Sequence, residues 1–214
     1  MDILVLAAHP DDEVLGMGGT IKKLVKQQNK IHLCVVSEGA SAQYDDKKMI
    51  KIRKEACLKS GKILGISTYT FLNFQDMKLD SIPQLEINIE LKKIIKKLKP
   101  KVVYTTPSND LNKDHQKVFE STLVVSRAHG NSVKEVLSYE IPAIIKFAFT
   151  PTVYEDIHKE FPTKIKAFKQ YKTEIMKFPH PRSIEAIETL SKFRGMESGL
   201  IRAEGFQLIK KIQS

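Results

Sequence analysis

Two short segments of this sequence combine carboxylates and imidazoles in a way that favours chemistry over packing. They are His9-Pro10-Asp11-Asp12-Glu13 and Asn109-Asp110-Leu111-Asn112-Lys113-Asp114-His115. Imidazole and carboxylate groups are good ligands for a borderline divalent ion such as zinc. The alternative interpretation is that these polar side chains only cap the helices that follow them.

The spacing within and between the two segments is compatible with a metal site. His9 and Asp12 are three residues apart across a predicted strand-to-helix turn, so both side chains can point at one spot. A distant His115 could supply a third ligand, and three protein ligands with an open position are typical of catalytic zinc. Asp11, if it is not a ligand, would then lie beside the water at the metal.

The surrounding elements follow the order of a parallel α/β protein. An apolar run over 3–8, a helical stretch over about 20–28 and a second apolar run over 31–36 form a predicted βαβ unit. Further predicted helices cover about 47–64, 81–99, 114–128, 164–177 and 183–194, and further predicted strands cover 69–72, 101–105, 136–140, 152–154 and 203–209. In such folds, functional residues are expected at the carboxyl ends of the strands.

Composition indicates a single globular domain over residues 1–214. The chain is 42% hydrophobic and 28% charged, and its apolar stretches are far shorter than the ~18 residues that span a bilayer. The start of the chain carries an acid at Asp2 and lacks the pattern of a secretory signal, so a cytoplasmic location is expected. Cys34 and Cys57 lie in apolar contexts and are predicted to be buried free thiols.

The net charge of +10 does not by itself indicate a nucleic-acid partner. Much of the excess lies in the segment 90–99, where Leu91, Ile94, Ile95 and Leu98 predict one buried helical face with lysines opposite. No nucleic-acid-binding motif accompanies it. Gly16, Gly18 and Gly19 have the wrong spacing for a dinucleotide fingerprint, so close approach of a helix to the sheet is the better explanation for them.

The motifs taken together resemble the LmbE/PIG-L family of metal-dependent de-N-acetylases. His9-Pro10-Asp11-Asp12-Glu13 with Gly16 and Gly19 is similar to the opening motif of the family, and Asp114-His115 fits its second motif. Further matching positions extend the resemblance over about residues 2–209: Ser37-Glu38-Gly39, Arg53, Glu55, His180-Pro181-Arg182-Ser183, Arg194-Gly195, Gly199, Ala203-Glu204 and Phe206.

The resemblance implies a Rossmann-like α/β fold, a mostly parallel sheet with helices on both faces, and a hydrolase. The implied reaction removes the N-acetyl group from an N-acetylglucosamine-type sugar or glycoconjugate. By position, His9, Asp12 and His115 resemble the zinc ligands, and Asp11 resembles the base that activates water at the metal. Iron, manganese or cobalt can occupy the same ligands.

Other positions carry roles that the resemblance implies less directly. Asp114 resembles a catalytic relay carboxylate, and Arg53 resembles a substrate-binding residue. Many relatives have a histidine where this chain has Asn112, which can donate a hydrogen bond to an oxyanion but cannot deliver a proton near neutral pH. Either Asp11 returns its proton to the leaving amine, or another group serves as the acid. His180 and Arg182 either contact substrate or hold the C-terminal segment against the rim.

Two other functions remain open at the level of sequence. One is a metal-containing sugar-binding protein without catalysis, and the other is a metallohydrolase acting on another amide. The expected partner is a small N-acetylated amino sugar, with no nucleic acid and no integral membrane segment, and a homo-oligomer is suggested only by analogy. The rim segments 40–48 and 141–155 carry no signal that names the substrate.

Overall fold

The computed structural model describes residues 1–127, 130–142 and 147–213. The strands, in chain order, are β1 (Asp2–Ala7), β2 (Lys30–Ser37), β3 (Thr68–Phe74), β4 (Val102–Thr105), β5 (Glu135–Tyr139), β6 (Val153–Asp156) and β7 (Ala203–Lys211). The α-helices are α1 (Asp12–Lys26), α2 (Lys48–Leu64), α3 (Gln84–Leu98), α4 (Lys113–Val125), α5 (Phe161–Phe168) and α6 (Ile184–Ser198).

The strands form one sheet in the order β3-β2-β1-β4-β5-β7-β6. The first five of these are parallel to one another, while β7 runs antiparallel between β5 and β6. The predicted mostly parallel α/β sheet is therefore confirmed. The order reverses at β1, which pairs with β2 on one side and β4 on the other. Ligands of open α/β sheets bind in the crevice at this switch point.

Apolar layers cover both faces of the sheet, as predicted. Successive residues of β1 point to opposite faces. Ile3 and Val5 belong to the layer under α1, α2 and α5, whereas Leu4 and Leu6 belong to the layer under α3 and α4. The predicted apolar face of α3 is buried, and both cysteines are buried free thiols. None of the helices in the described ranges is long and apolar enough to cross a membrane.

Several helix boundaries differ from the predictions. The helix expected over 164–177 is α5, which begins at Phe161 and ends at Phe168, after which the backbone continues as tighter turns. The helix expected from Ser81 begins at Gln84, because a short 3-10 turn over Leu79–Ser81 precedes it. The predicted end of α4 at residue 128 lies outside the described residues.

Helix α1 begins at Asp12, eight residues before its predicted start, and contains a break at Met17. Gly16 allows the helix to approach β5, because a Cβ atom there would lie 2.3 Å from a ring carbon of Tyr139. The glycines therefore serve close packing, as expected. The start of α1 places the acidic segment 11–13 directly above the end of β1.

A buried ion pair bonds the backbone groups at the break of α1. Lys164 Nζ donates to the carbonyl of Leu15 at 2.8 Å and to Glu204 Oε1 at 2.6 Å. The Glu204 carboxylate accepts the N–H groups of Gly19 and Thr20 at 3.0 and 2.7 Å. Backbone groups freed by the break thus find side-chain partners, as buried polar groups require.

We expect Glu204→Gln to lower the free energy of unfolding by about 3–5 kcal/mol, because it leaves the Lys164 ammonium buried without its counter-charge. Urea denaturation measures the change. Glu188→Gln is the control, since Glu188 pairs with Arg202 and Lys192 at the surface, where such pairs contribute about 0–1 kcal/mol. Equal losses in the free energy of unfolding for the two substitutions would show that the buried Lys164–Glu204 pair contributes no more stability than a surface pair.

Candidate metal centre and active site

The two polar segments meet at the switch point of the sheet. The loop after β1 carries His9 and Asp11 and leads to Asp12 at the start of α1, and the loop after β4 leads to Asp114 and His115 at the start of α4. All five are nearly or fully buried, with at most 4% of each residue exposed. Their convergence follows from topology, because parallel neighbours such as β1 and β4 end at the same edge.

The possible ligand atoms of three residues lie within 4.8 Å of one another between these loops. His9 Nδ1 lies 3.2 Å from His115 Nε2. Asp12 Oδ1 lies 3.4 Å from His115 Nε2, and Asp12 Oδ2 lies 3.6 Å from His9 Nδ1. His9, Asp12 and His115 are thus a buried group that could hold a metal ion.

The donor set fits a tetrahedral ion in two respects. Ligand atoms about 2.0–2.1 Å from a tetrahedral zinc ion are about 3.3 Å apart, close to the spacing found here. Asp12 Oδ2 accepts the backbone N–H of His9 at 2.8 Å, whereas Asp12 Oδ1 is buried and has no hydrogen-bond partner among the described residues. A buried carboxylate oxygen left without a donor is suited to a cation.

Each histidine has a carboxylate behind it. His9 Nε2 lies 3.0 Å from Asp114 Oδ2 and 3.2 Å from Asp76 Oδ1. His115 Nδ1 lies 2.7 Å from Asp110 Oδ2. These carboxylates are placed to accept the outer ring N–H groups, and a metal ion would then bind the inner nitrogens, His9 Nδ1 and His115 Nε2.

His9, Asp76 and Asp114 form a second group with metal-ligand spacing. The carboxylate oxygens of Asp114 already accept the backbone N–H groups of Met77 and Leu79, at 2.9 and 3.0 Å. Because Asp12 Oδ1 has no such donor, the structure favours the group of His9, Asp12 and His115.

The carboxylates determine where protons lie when no metal is bound. Burial acts to lower the pKa of His115, but Asp12 and Asp110 outweigh it and raise that pKa to about 9. The pKa of His9 is raised well above its usual value, again against burial, by Asp114, Asp12 and Asp76. The pKa of Asp12 is held well below its usual range, despite burial, by the two histidines. A metal ion that bound to this group would therefore displace protons from the imidazoles.

Asp11 occupies a strained backbone position beside the ligands. Its φ of 120° lies where L-residues rarely occur, a conformation that costs about 1–3 kcal/mol. The Asp11 N–H donates to Glu13 Oε2 at 3.1 Å, and Tyr171 Oη donates to Glu13 Oε1 at 2.5 Å. These bonds stabilise the backbone conformation that positions the Asp11 side chain. Burial raises the pKa of the Asp11 carboxyl, although Arg182 and Arg53 partly oppose this.

Two arginines face the Asp11 carboxylate, at 3.3 Å for Arg53 and 3.7 Å for Arg182. Arg53 is only 2% exposed, and it donates to the carbonyl oxygens of Gly39 and Pro10. These contacts give Arg53 a part in holding the loop after β1, while its contact with substrate stays a prediction. The Arg182 side chain is 23% exposed.

Asn112 and His180 lie nearer the surface. Asn112 Oδ1 accepts the N–H of Asp114 at 2.9 Å and so forms the N-cap of α4, which leaves its Nδ2 as the atom that could donate to a substrate. His180 is exposed, and its Nδ1 accepts the backbone N–H of Arg182 at 3.0 Å. This bond lies within the turn over residues 180–182, and both expected roles of His180 stay predictions.

The family model for GlcNAc-PI de-N-acetylase, PIG-L, matches residues 4–126 of this chain. The chain belongs to the PIG-L family. An uncharacterised deacetylase of Escherichia coli, YaiS, is 31% identical over 177 residues, which cover 80% of this chain and 90% of YaiS.

Solved structures share the fold of this PIG-L family member at low identity. The N,N'-diacetylchitobiose deacetylase from Pyrococcus horikoshii superposes with a TM-score of 0.83 at 22% identity, covering 98% of this chain and 84% of that one. The 4-carboxy-2-hydroxymuconate hydratase GalB from Pseudomonas putida gives a TM-score of 0.82 at 20% identity, covering 100% and 98%. Because one is a deacetylase and the other a hydratase, these similarities show the fold alone.

Several polar residues of the site in this PIG-L domain escaped the sequence reasoning. Asp76 follows β3, so the rule that functional residues lie at strand ends could have found it. Asp110 lies in the polar segment 109–115 that the sequence analysis named, but no role was assigned to it. Tyr171 and Glu174 fell inside a predicted helix, and no local signal marked them. Of the rim segment 141–155, residues 143–146 lie outside the described residues.

We expect Asp110→Asn to weaken zinc binding by about 10–100-fold, because the His115 ring loses the carboxylate that orients it. Competition with a chromophoric chelator measures the affinity. Asp45→Asn is the matched control, since Asp45 is an exposed carboxylate on a rim loop. If zinc affinity were unchanged in Asp110→Asn, then the Asp110–His115 contact would have no part in metal binding.

Proposed function

We propose that this chain is a metal-dependent deacetylase that removes the N-acetyl group from an N-acetylglucosamine-type sugar or glycoconjugate. The observation that carries the proposal is the convergence of His9, Asp12 and His115 next to a buried carboxylate, Asp11, with no hydrogen-bond partner among the described residues. Membership of the PIG-L family supports the reaction class. The description of the matching family model, GlcNAc-PI de-N-acetylase, supports an N-acetylated sugar as substrate.

His9, Asp12 and His115 would hold the ion, with zinc as the preferred candidate given two imidazoles and one carboxylate. A divalent ion bound there polarises the amide carbonyl and makes a water molecule more acidic. The carboxylates of Asp110 and Asp114 keep the two imidazoles oriented from behind.

Asp11 serves as the proton acceptor. Its Oδ2 faces Arg53 and Arg182, which leaves Oδ1 to accept the proton of the attacking water. Water oxygen bonds to the acetamide carbon, and Asn112 Nδ2 can donate a hydrogen bond to the developing oxyanion. When the C–N bond breaks, acetate leaves, and the amine takes the proton from Asp11. Asp11 is assigned this second proton transfer because position 112 is an asparagine, which cannot deliver a proton to the amine.

The test is amine release by zinc-loaded protein from N-acetylglucosamine, N,N'-diacetylchitobiose and a GlcNAc-phosphatidylinositol. We expect one of these substrates to give acetate and primary amine in equal amounts, with loss of activity after chelation and recovery on adding zinc. Saturable sugar binding without acetate release would instead support the sugar-binding alternative. Release of acetate from non-sugar amides alone would support a different metallohydrolase.

A further inference from the structure

Two arginines and two carboxylates alternate beside the candidate metal ligands, around the Asp11 side chain. Arg53 lies 3.3 Å from Asp11 and 3.5 Å from Glu174. Arg182 lies 3.7 Å from Asp11 and 2.7 Å from Glu174. We call this set of four the charge square. We propose that Glu174 is a positioning residue that, through Arg182, holds the Asp11 carboxylate in its working orientation, an inference that rests on the proposed function.

The orientation of Asp11 depends on few contacts. Neither of its carboxylate oxygens has a hydrogen-bond partner within the described part of the chain. The charged groups nearest to it in the square, Arg53 and Arg182, both face Oδ2. The orientation of the Asp11 carboxylate is therefore set by the positions of these two guanidinium groups.

The two arginines differ in how they are held. Arg53 is anchored by the carbonyl groups of Gly39 and Pro10, and does not depend on Glu174 for its place. The Arg182 side chain is 23% exposed, and the hydrogen bond that its guanidinium makes is to Glu174 Oε2. Loss of Glu174 would therefore free Arg182 while leaving Arg53 in place.

Glu174 is itself well fixed. It is 1% exposed, its Oε1 accepts from Thr173 at 2.9 Å and from Tyr44 at 3.4 Å, and its N–H donates to the carbonyl of Tyr171 at 2.9 Å. Because Tyr171 also bonds to Glu13, this turn reaches both the backbone and the carboxylate of Asp11. The same turn is where the predicted helix over 164–177 does not form.

Charge balance explains why an acidic residue, Glu174, lies opposite the two arginines. The buried Arg53 and the partly exposed Arg182 against Asp11 alone would leave an uncompensated positive charge, and Arg182 would be drawn onto the Asp11 carboxylate. With Glu174 present, each arginine has two carboxylates to face. The Asp11 carboxylate therefore lies between the two guanidinium groups without forming a hydrogen bond to either of them.

The test compares Glu174→Gln with wild-type protein, both zinc-loaded, on a substrate established by amine release. We expect kcat to fall about 10–100-fold, as for a misplaced catalytic group, with KM and zinc content unchanged. Glu140→Gln is the matched control, because Glu140 pairs with Arg194 at 2.6 Å in another largely buried ion pair. That control should lose stability and keep its kcat.

A double-mutant cycle separates positioning from a general structural role. If Glu174 acts through Arg182, the double variant Glu174→Gln, Arg182→Gln should match Arg182→Gln alone in kcat, because the coupled contact is already lost. Additive effects, an unchanged kcat in Glu174→Gln, or an equal fall in Glu140→Gln would each overturn the proposal.

If Glu174→Gln does not fold, Arg182→Gln tests the same proposal. This variant should fold, because the Arg182 side chain is partly exposed. It should show the same fall in kcat with unchanged KM, and an unchanged kcat would overturn the proposal. Failure of the proposed function is distinguishable, because wild-type protein would then release no amine. In that case a crystal structure of the Glu174→Gln variant still tests the inference, and an unmoved Asp11 carboxylate would contradict it.

Discussion

Protein carrying His115→Ala is expected to keep its fold and to lose its bound metal. Wild-type protein purified without chelator should contain about one equivalent of a divalent ion, as a three-ligand catalytic site does. Removing His115 leaves only His9 and Asp12, and the Asp110 carboxylate then has no imidazole to orient. Elemental analysis of the purified chain measures the metal, and amine release should fall below detection.

The control for this variant is His158→Ala, which removes an exposed histidine outside the site. Its metal content should equal that of wild-type protein. Thermal unfolding checks that His115→Ala is still folded. Retention of a full equivalent of metal in His115→Ala would place the third ligand elsewhere, with Asp76 and Asp114 as the next candidates because they form the second donor group around His9.

The convergence of the metal-binding group could be predicted because it depends on topology. A strand followed by His9 and Asp12, and another followed by His115, must bring these residues to one edge if the strands are parallel neighbours. The register of β1 with β4 shows that they are. The pattern of β-strands and amphipathic helices therefore determined both the sheet and the place of the candidate site.

What the sequence could not show depends on contacts between distant residues. Tyr171 and Glu13 are 158 positions apart, and Glu204 and Gly19 are 185 apart. The helical periodicity over 164–177 is local, whereas the turn that replaces it brings Tyr171 and Glu174 inward to polar partners. In the same way, backbone groups at the break of α1 bond to Lys164 and Glu204, which no local pattern connects to that helix.

Asp11→Asn is expected to lower kcat by about 10²–10⁴-fold while the metal stays bound, because the amide cannot accept a proton as a carboxylate does. Asparagine is the right replacement at this position. Like aspartate, it tolerates a positive φ such as the 120° found here, so the strained turn should persist. An alanine at Asp11 would confuse loss of the base with strain in the loop.

The kinetic pattern distinguishes a base from a binding group. If Asp11 acts only on the proton in the transition state, kcat and kcat/KM should fall together, and KM should change little. The matched control is Asp45→Asn, an exposed acid on the rim, which should leave both constants unchanged. Full activity in Asp11→Asn would remove Asp11 from the proton transfer. Loss of metal in Asp11→Asn would mean that the charge opposite Arg53 and Arg182 is needed to hold the ligand loop itself, because Asp11 is the residue next to Asp12.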